Sequence, residues 1–259
     1  MDNCQSYTAL ADCYDRLMKG ADYSGWADFI TEHLKSYGIE PGALLLELGC
    51  GTGSMTVELA RRGWDMTALD LSPDMLIAAR EKIARPENAD IGDILLLCQD
   101  MRSFELYGTM AAVVCVLDGI NYLTETRDLR ACFKTVMNYL DPGGVFIFDV
   151  NTPYKFKNIF GQREMILEDE GVFCGWKNNF DRESLICEFD LTIFKQEESG
   201  EWYRFSEKQY ERCYGITSLT KNLERAGFEE IKFFSGYSKN IFSETDERWV
   251  ISAVKPRGE

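Results

Sequence analysis

Histidine, basic clusters and long apolar runs are all scarce in this chain, and each shortage excludes a class of site. His33 is the only histidine, and none of the nine cysteines forms a Cys-x-x-Cys pair. A structural zinc site needs such ligands at short spacings, so no metal centre is expected. Histidine could act as a general base only at His33, which lies in a helical pattern of apolar residues and is interpreted as an ordinary helix residue.

The shortage of basic residues argues against nucleic acid as a substrate. The chain has 28 lysines and arginines against 43 aspartates and glutamates, a formal net charge of −15, and its longest basic run is Arg61-Arg62. Enzymes that act on DNA or long RNA usually present a basic face to the phosphates. An acidic surface suits a small neutral or cationic substrate, although it also simply keeps a protein soluble.

Long apolar runs and targeting signals are missing as well. No run approaches the roughly 20 apolar residues of a membrane span, and the first residues, with Asp2, Gln5 and Asp12, do not resemble a secretion signal. We therefore expect a soluble cytoplasmic protein whose cysteines remain thiols. With 259 residues, 45% of them hydrophobic, the chain can form one large domain with an embellishment or two small domains. The oligomeric state is open, a dimer included.

The most informative segment runs from Leu44 to Gly53. Its apolar start, Leu44 to Leu48, predicts a short strand buried on both faces of a parallel sheet. Three glycines at alternate positions then permit backbone conformations and close approaches that a Cβ would obstruct. A helix should follow from Ser54, a candidate cap, to Arg61. Strand, glycine turn and helix form the first half of a doubly wound unit, in which ligands bind beyond the carboxyl ends of the strands.

Two familiar nucleotide-binding patterns fit this turn poorly. The dinucleotide fingerprint Gly-x-Gly-x-x-Gly requires a third glycine where Ser54 stands, and it places a pyrophosphate beside the turn. Glu47 puts a carboxylate just before the turn, which disfavours a pyrophosphate and favours an ammonium group. The Walker pattern is absent because no Gly-Lys-Ser/Thr follows. An oxidoreductase is therefore the least favoured interpretation.

The same residues resemble the first motif of the class I S-adenosylmethionine-dependent methyltransferases, Glu/Asp-x-Gly-x-Gly-x-Gly. The match runs from Glu47 to Gly53 and holds at every defined position. The resemblance implies a doubly wound Rossmann-like domain that binds S-adenosylmethionine; a turn that binds nothing is the alternative. It also implies cofactor contacts from this turn, at Glu47, Gly49, Cys50, Gly51 and Gly53.

The second predicted strand, Met66 to Leu69, ends at Asp70. A carboxylate at this point can accept hydrogen bonds from both ribose hydroxyls, and the resemblance implies this role for Asp70. Ser72 and Pro73 are typical of a helix start, with serine as N-cap and proline in the first turn. The resemblance adds Leu71 as a cofactor contact and places Met75 beside the ribose or adenine, although Met75 also fits the helix core.

Two further strands are predicted, from Ile94 to Leu97 and from Ala112 to Leu117. The first delivers Asp100 and Met101. In similar enzymes an aspartate here accepts the adenine amine and its neighbour packs on the ring; the alternative for Asp100 is a turn cap. The second strand leads to the loop that, by the resemblance, lies beside the transferable methyl group. Contacts expected from this loop are Leu117 and Asp118 for the cofactor, and Asp118, Asn121 and Tyr122 for orienting the acceptor, with no catalytic base assigned.

The N-terminal residues 1–40 should form two helices that cover the cofactor. Similar segments occur in sugar amine and glycine N-methyltransferases. By that resemblance Tyr14 contacts the methionyl part and Arg16 pairs with its carboxylate. The alternative for both residues is a helix that packs on the sheet edge.

The second half of the chain predicts an insertion. A turn at 141–144 precedes a fifth strand, Val145 to Val150, and a short helix follows at 155–160. Within 151–214, three alternating stretches at 171–178, 185–195 and 202–210 predict an antiparallel β meander, expected to form the substrate wall or lid. Residues 215–259, with a helix at 216–226 and strands at 231–234 and 249–254, complete the domain begun by 1–150. The fold class is therefore α/β, a doubly wound Rossmann-like seven-stranded sheet with an inserted antiparallel β meander.

Three functions are consistent with this pattern. The first is S-adenosylmethionine-dependent transfer of a methyl group to nitrogen or oxygen of a small molecule, favoured by the ordered motifs, the acidic charge and the aromatic insertion. The second is modification of RNA or protein with the same cofactor. The third is a protein that binds S-adenosylmethionine without catalysis.

Overall fold

The computed structural model describes residues 8–197 and 199–258; Tyr7 of the N-terminal pattern lies outside them. The strands are β1 (Leu44–Leu48), β2 (Asp65–Asp70), β3 (Leu95–Cys98), β4 (Met110–Cys115), β5 (Leu140–Asn151), β6 (Glu164–Asp169), β7 (Val172–Asp181), β8 (Ile186–Gln196), β9 (Trp202–Arg212), β10 (Glu229–Ser235) and β11 (Arg248–Val254). The helices are α1 (Thr8–Leu17), α2 (Tyr23–Lys35), α3 (Ser54–Arg61), α4 (Pro73–Ile83), α5 (Thr126–Tyr139) and α6 (Ile216–Ala226). Short 3-10 turns at Pro86–Asn88 and Gly119–Tyr122 and a π-helical segment at Lys155–Phe160 complete the list.

Seven strands form the central sheet in the order β10-β11-β5-β4-β1-β2-β3. The pairs from β5 to β3 are parallel, whereas β11 runs antiparallel to both β5 and β10. The carboxyl ends of β1, β2, β3 and β4 therefore meet at one edge of the sheet, where the glycine turn lies. The predicted Rossmann-like α/β fold is confirmed.

The apolar run of β1 is buried because side chains alternate between the two faces of a strand. Leu46 and Leu48 join the cluster under α5 and α6, which includes Phe133. Leu45 points to the opposite face and packs with Ile30 of α2. Both faces of the sheet are thus covered by helices, as the continuous leucine run predicted.

The helix starts after β1 and β2 differ. Ser72 caps α4 as predicted, since its hydroxyl accepts the Met75 N–H at 3.3 Å and Pro73 follows it. The prediction that Ser54 caps α3 is wrong, because Ser54 is already the first helical residue and Gly53 precedes it at φ +77°. A Cβ on Gly53 would lie 3.1 Å from the Cβ of Ala79, so glycine here lets α3 approach α4 closely.

β5 is longer than predicted. The strand begins at Leu140, and the register shifts between the Met110–Leu140 and Ala112–Val145 pairs. The Asp-Pro-Gly-Gly segment at 141–144 lies within this irregular start. Gly143 adopts φ +82° and donates its N–H to the Lys255 carbonyl at 2.9 Å, so pairing with the C-terminal segment replaces the expected free turn.

Residues 164–212 form a separate antiparallel sheet in the order β6-β7-β8-β9. Three of its strands were predicted; β6 was missed because its Met-Ile-Leu run does not alternate clearly and both faces remain partly exposed. The inward face of the sheet packs on the π-helical segment through Phe156 and Phe160, and on α1 through Tyr14 and Leu17.

Within the described ranges, no helix is long and apolar enough to span a membrane, and no group of histidine, cysteine and acidic residues is arranged to hold a metal ion. The cysteines whose side chains are described are free thiols: Cys50, Cys98, Cys115, Cys132, Cys174, Cys187 and Cys213.

Candidate functional site

A cavity opens at the carboxyl edge of the central sheet, between the glycine turn, the ends of β2 and β3, and helix α1. It brings together most of the residues selected from the sequence. Those that line it are Tyr14, Glu47, Gly49, Cys50, Gly51, Asp70, Leu71, Met75, Asp100, Met101, Leu117 and Tyr122. The selected residues that do not line it are Arg16, Gly53, Asp118 and Asn121.

Asp70 fixes the floor of this cavity. Its carboxylate accepts the Gly51 N–H at 2.8 Å and the Ser72 N–H at 2.8 Å, so it joins the glycine turn to the start of α4. Burial raises the pKa of Asp70, and the backbone N–H groups oppose that effect. A carboxylate has about four acceptor positions, so Asp70, which lines the cavity, can accept hydrogen bonds beyond these.

Glu47 lies beneath the turn and is almost completely buried. Its carboxylate accepts a short hydrogen bond from the Thr56 hydroxyl. Burial raises the pKa of Glu47 to about 8, because the carboxylate loses water and gains only this one side-chain donor. A cationic group brought into the cavity would find here a carboxyl group ready to ionise.

The β3 end of the cavity carries an ion pair between Asp100, which was predicted from the sequence, and Arg102, which was not. Asp100 accepts the Arg102 backbone N–H at 2.8 Å, the turn-capping alternative, and also pairs with the Arg102 guanidinium. Burial raises the pKa of Asp100, but the hydrogen bonds from Arg102 outweigh it and the net shift is downward. Arg102 bonds in addition to Asp128 at 3.1 Å. Met101 lies beside Gly49, where a Cβ would be 3.4 Å from its terminal methyl.

The loop after β4 has an unusual backbone. Leu117 and Asp118 both adopt left-handed conformations, with φ +54° and +55°. The buried Asp149 carboxylate holds them by accepting both N–H groups, at 2.9 Å and 2.6 Å. Such conformations are sparsely populated by residues other than glycine and are often found at functional sites.

Asp118 turns its side chain away from the cavity, contrary to expectation. The carboxylate pairs with Arg248 at 2.6 Å, and Arg248 also pairs with Asp149. Burial would lower the pKa of Arg248, but the two carboxylates raise it above its usual range. Tyr237 donates its hydroxyl to Asp149 and completes this buried network. Asp118 thus stabilises the loop through its ion pair with Arg248 and does not line the cavity.

Asn121 and Tyr122 take different positions. Asn121 is fully buried, accepts the Asn151 N–H at 3.0 Å and donates to the Arg212 carbonyl at 2.8 Å, so its amide serves the loop structure and does not face an acceptor. Tyr122 lines the cavity and donates its hydroxyl to Gln209 of β9 at 3.0 Å.

The N-terminal helix α1 supplies Tyr14, whose pKa burial raises well above its usual value. Arg16 lies outside the cavity, because its guanidinium donates to the Glu170 carbonyl at 3.2 Å; the geometry gives no support for the expected carboxylate pairing. The neighbouring Asp15 bonds instead to the Thr52 hydroxyl at 2.6 Å and to Lys82 at 2.8 Å.

Sequence reasoning missed several lining residues: Tyr23, Thr52, Ser54, Gln99, Arg102, Gly119, Thr124 and Asp128. Thr52 and Ser54 flank a matched glycine and could have been found by adjacency. Lys82 does not line the cavity, but its ammonium donates to the hydroxyls of Ser54 and Thr52, which do. Sequence reasoning missed Lys82 because nothing in the sequence of α4 distinguishes it.

His33 lies elsewhere. It packs between Phe29 and Phe234, with ring centroids 5.8 Å and 5.2 Å away, and it does not line the cavity. Burial lowers its pKa to about 4, with a smaller effect from Lys232. The interpretation of His33 as a helix residue agrees with this position.

Comparison with known proteins identifies the family. A family model of the methyltransferase domain matches residues 45–144. A protein of Geobacillus sp. (strain WCH70) assigned as a methyltransferase is 31% identical over 96% of this chain and 100% of its own length. The dTDP-3-amino-3,4,6-trideoxy-alpha-D-glucopyranose N,N-dimethyltransferase of Streptomyces venezuelae is 33% identical over 58% of this chain and 59% of its own length.

A solved structure agrees. The crystal structure of an S-adenosylmethionine-dependent methyltransferase from Clostridium acetobutylicum superposes with a TM-score of 0.83 at 29% identity, covering 96% of this chain and 99% of that one. The likeness extends over both sheets, since the aligned region is almost the whole chain. The chain therefore belongs to the class I S-adenosylmethionine-dependent methyltransferases, and S-adenosylmethionine is its methyl donor.

Proposed function

We propose that this methyltransferase acts on an amino or hydroxyl group of a small molecule, and that the cavity residues described above hold the methyl donor. One observation carries the proposal: a single cavity runs from Asp70 and Asp100 at the sheet edge to Leu117, Tyr122 and Tyr14 under the N-terminal helix. When bound, S-adenosylmethionine supplies an electrophilic methyl group on a sulfonium.

The nucleoside end fits the β2 and β3 side. The carboxylate oxygens of Asp70 retain acceptor capacity after bonding to Gly51 and Ser72, as two ribose hydroxyls require. Asp100 lines the cavity and is held in place by Arg102, which contacts both carboxylate oxygens, so an adenine amine bound there would replace one of these contacts. Met101 offers an apolar surface for the ring. These are the roles that the sequence resemblance implied.

The amino acid end fits the glycine turn. Glu47 provides the carboxyl group that an ammonium favours, and it lies next to Gly49 and Gly51 in the lining. The cavity also exposes the hydroxyl-bearing side chains of Tyr23, Thr52 and Ser54. Hydroxyl donors near the N-terminus of a helix suit a carboxylate. The Thr52 and Ser54 hydroxyls donate to Asp15 in the free chain, so a ligand carboxylate at this point would replace Asp15 as their partner.

The acceptor enters, in this proposal, between α1 and the insertion 151–214, with 1–150 and 215–259 forming the cofactor-binding domain. The Tyr122–Gln209 hydrogen bond joins the methyl-side loop to the inward face of β9. In the same row of that face, on the far side of Phe189 of β8, lies Asn178, whose buried amide finds no partner among the described residues. Asn178 does not line the cavity, so the Tyr122–Gln209 bond is the contact that supports this entry side.

The chemistry favours positioning over strong base catalysis. No histidine lines the cavity, and burial keeps Tyr14 a neutral phenol. A neutral amine needs orientation toward the methyl carbon and a later loss of its proton, to water or a carboxylate. Orientation can contribute about 7–11 kcal/mol in favourable models. Tyr122 and Tyr14 are placed to orient the acceptor.

Other evidence supports a small acceptor. The net charge of −15 and the absence of any basic run longer than two residues disfavour a polyanion. The Streptomyces relative, by its name, methylates an amino sugar nucleotide. An amine on a hydroxylated small molecule is therefore the first acceptor class to test.

The cofactor assignment can be tested by calorimetry on the Asp70→Asn variant. Hydrogen bonds to a charged group contribute about 1.5–3 kcal/mol, so the dissociation constant for S-adenosylhomocysteine should rise about tenfold or more. Asp65→Asn, at the exposed opposite end of the same strand, is the matched control. Equal affinity of both variants and the native chain would contradict the assignment of Asp70.

The acceptor class can be tested with S-adenosylmethionine labelled in its methyl group. We expect label in small amines or hydroxyl compounds, amino sugars first, and none in bulk tRNA or unfolded protein. Transfer to tRNA or protein alone would favour the RNA- or protein-modifying alternative. Tight cofactor binding without any transfer would favour a non-catalytic binding protein.

A further inference from the structure

The outer edge of β9 is long and exposed. Residues 201–206 are exposed at every position, on both faces of the strand, including Trp202 at 51% and Phe205 at 37%. β9 is the last strand of its sheet, and no strand in the described ranges pairs with its outer edge. Exposed edges of this kind invite pairing with another strand, and natural proteins usually shorten, bend or cover them.

The hydrogen bonds around the end of β9 reveal which backbone groups face outward. The Cys213 N–H donates toward β8, to the Leu185 carbonyl at 2.8 Å, whereas the Arg212 carbonyl accepts Asn121 from the other side. In an antiparallel ladder, successive residues turn their N–H and C=O groups to alternate sides. The even-numbered residues of β9 therefore point their backbone groups outward, Trp202, Arg204 and Ser206 among them.

A second copy of the same edge fits this pattern in one register. Two β9 strands related by a two-fold axis pair antiparallel, and only residues of the same face stand opposite one another. An axis at Arg204 places two arginines opposite each other, and an axis at Ser206 places Arg204 opposite Lys208, so like charges oppose both arrangements.

An axis at Tyr203 avoids like-charge pairs, but β9 begins at Trp202, so only residues 202–204 of each strand would pair. An axis at Phe205 avoids like-charge pairs as well and pairs residues 202–208 of each copy. Phe205 then lies opposite its own copy, Tyr203 opposite Glu207, and Trp202 opposite Lys208. These are aromatic–aromatic, phenol–carboxylate and cation–π pairs, each of which stabilises neighbouring strands. In the same register, the outward backbone groups of Arg204 lie opposite those of Ser206.

We propose that two copies of this chain associate through β9, edge to edge and antiparallel, with the two-fold axis at Phe205. The two four-stranded sheets become one continuous sheet, and the exposed aromatic side chains of the edge become covered. A self-complementary edge is the simplest isologous interface. The occupant is a second copy and not an unrelated peptide, because the side-chain pairs that select the register belong to the strand itself.

Sedimentation velocity of the full chain tests the proposal directly. At physiological salt, which screens the repulsion between two copies of net charge −15, the mass should rise from 29.7 kDa toward twice that value as concentration increases. Phe205→Lys should place two positive charges together and weaken dimerisation at least tenfold. Ile166→Lys is the matched control, since Ile166 is an exposed apolar residue of the opposite edge strand β6, and this variant should dimerise like the native chain.

A second variant and a cross-link test the register. Ser206→Pro removes an outward N–H without breaking the pairing with β8, as proline is tolerated on edge strands, and it should also give a monomer. With the exposed Cys98 replaced by serine, mild oxidation should give a covalent dimer of Phe205→Cys and none of Ser206→Cys. Circular dichroism and affinity for S-adenosylhomocysteine confirm that each variant is folded.

Two outcomes would overturn the proposal. A native chain that stays monomeric at every concentration rules out this interface. A dimer that survives both Phe205→Lys and Ser206→Pro shows that the chain associates through another surface. Neither outcome affects the cofactor assignment, because none of these edge residues lines the cavity.

Discussion

Replacing Glu47 by glutamine should stabilise the protein at alkaline pH and change it little at acid pH. Glu47 is buried, and burial raises the pKa of its carboxyl group from 4.5, the ordinary value of a solvated glutamate, to about 8 in the folded chain. The folded state therefore keeps a proton that the unfolded state releases as pH rises above the lower value. Glutamine cannot ionise, yet its amide oxygen can still accept the Thr56 hydroxyl.

The sign and size of the effect follow from proton linkage. Below about pH 4.5 Glu47 is protonated in both states and contributes no pH dependence. Between 4.5 and about 8 it lowers the free energy of unfolding by about 1.4 kcal/mol for each pH unit. Above about pH 8 the loss is complete and amounts to about 5 kcal/mol, which the glutamine variant should recover.

Urea unfolding of the native chain and the variant across this pH range measures the effect. The difference in unfolding free energy should grow with pH and level off near pH 8. Glu40→Gln, at an exposed position just before β1, controls for the substitution itself. Parallel curves for the native chain and Glu47→Gln would refute the raised pKa and the burial argument behind it.

The same pKa predicts a proton release on cofactor binding. Near pH 7 the free protein holds this proton, and an ammonium placed beside Glu47 favours the carboxylate. Calorimetry in buffers of different ionisation enthalpy should therefore find about one proton released at pH 7 for the native chain and none for Glu47→Gln. Equal proton release by both would place the ammonium elsewhere.

Two further predictions concern stability. Gly53→Ala should lower the free energy of unfolding, measured in urea, by more than Gly38→Ala does. Both glycines have φ +77°, so backbone strain of about 1–3 kcal/mol is common to both variants, but only Gly53 has a neighbour, Ala79, within 4 Å of an added Cβ. Equal losses would mean that the close contact between the helices contributes no stability. Asp149→Asn should lower the free energy of unfolding by about 3–5 kcal/mol, because Arg248 then keeps only one carboxylate partner in a buried network. A loss below about 1 kcal/mol, the range of surface ion pairs, would show that the pair contributes no more than an exposed one.

The sequence predicted the β1–turn–α3 unit and the Asp70–Ser72 corner well because their signals are local. The leucine run, the alternate glycines, and serine followed by proline each act within a few residues. The same locality explains the errors at Ser54 and β5. Ser54 bonds to Lys82 of α4, and the turn at 141–144 pairs with Lys255, contacts that only the folded chain creates.

Side-chain direction was the least predictable property of the site. The sequence correctly placed Asp118 and Asn121 in the loop beyond β4, but their partners, Arg248 and Arg212, come from distant strands. Arg16 likewise turns toward Glu170 at the end of β6. Residue type and spacing identify which loop lies at the cavity. The side-chain directions depend on partners far along the chain, an arginine for Asp118 and backbone carbonyls for Asn121 and Arg16.

Lys82 ties the N-terminal helix to the cofactor-binding half of the molecule through its ion pair with Asp15. Its buried ammonium spans three parts of the molecule, Asp15 of α1, Thr52 of the glycine turn and Ser54 of α3. Without Asp15 the Lys82 ammonium would keep only two hydrogen-bond partners, the hydroxyls of Thr52 and Ser54. Removing the residues before 18 would therefore remove both Tyr14 from the lining of the cavity and the carboxylate that pairs with Lys82.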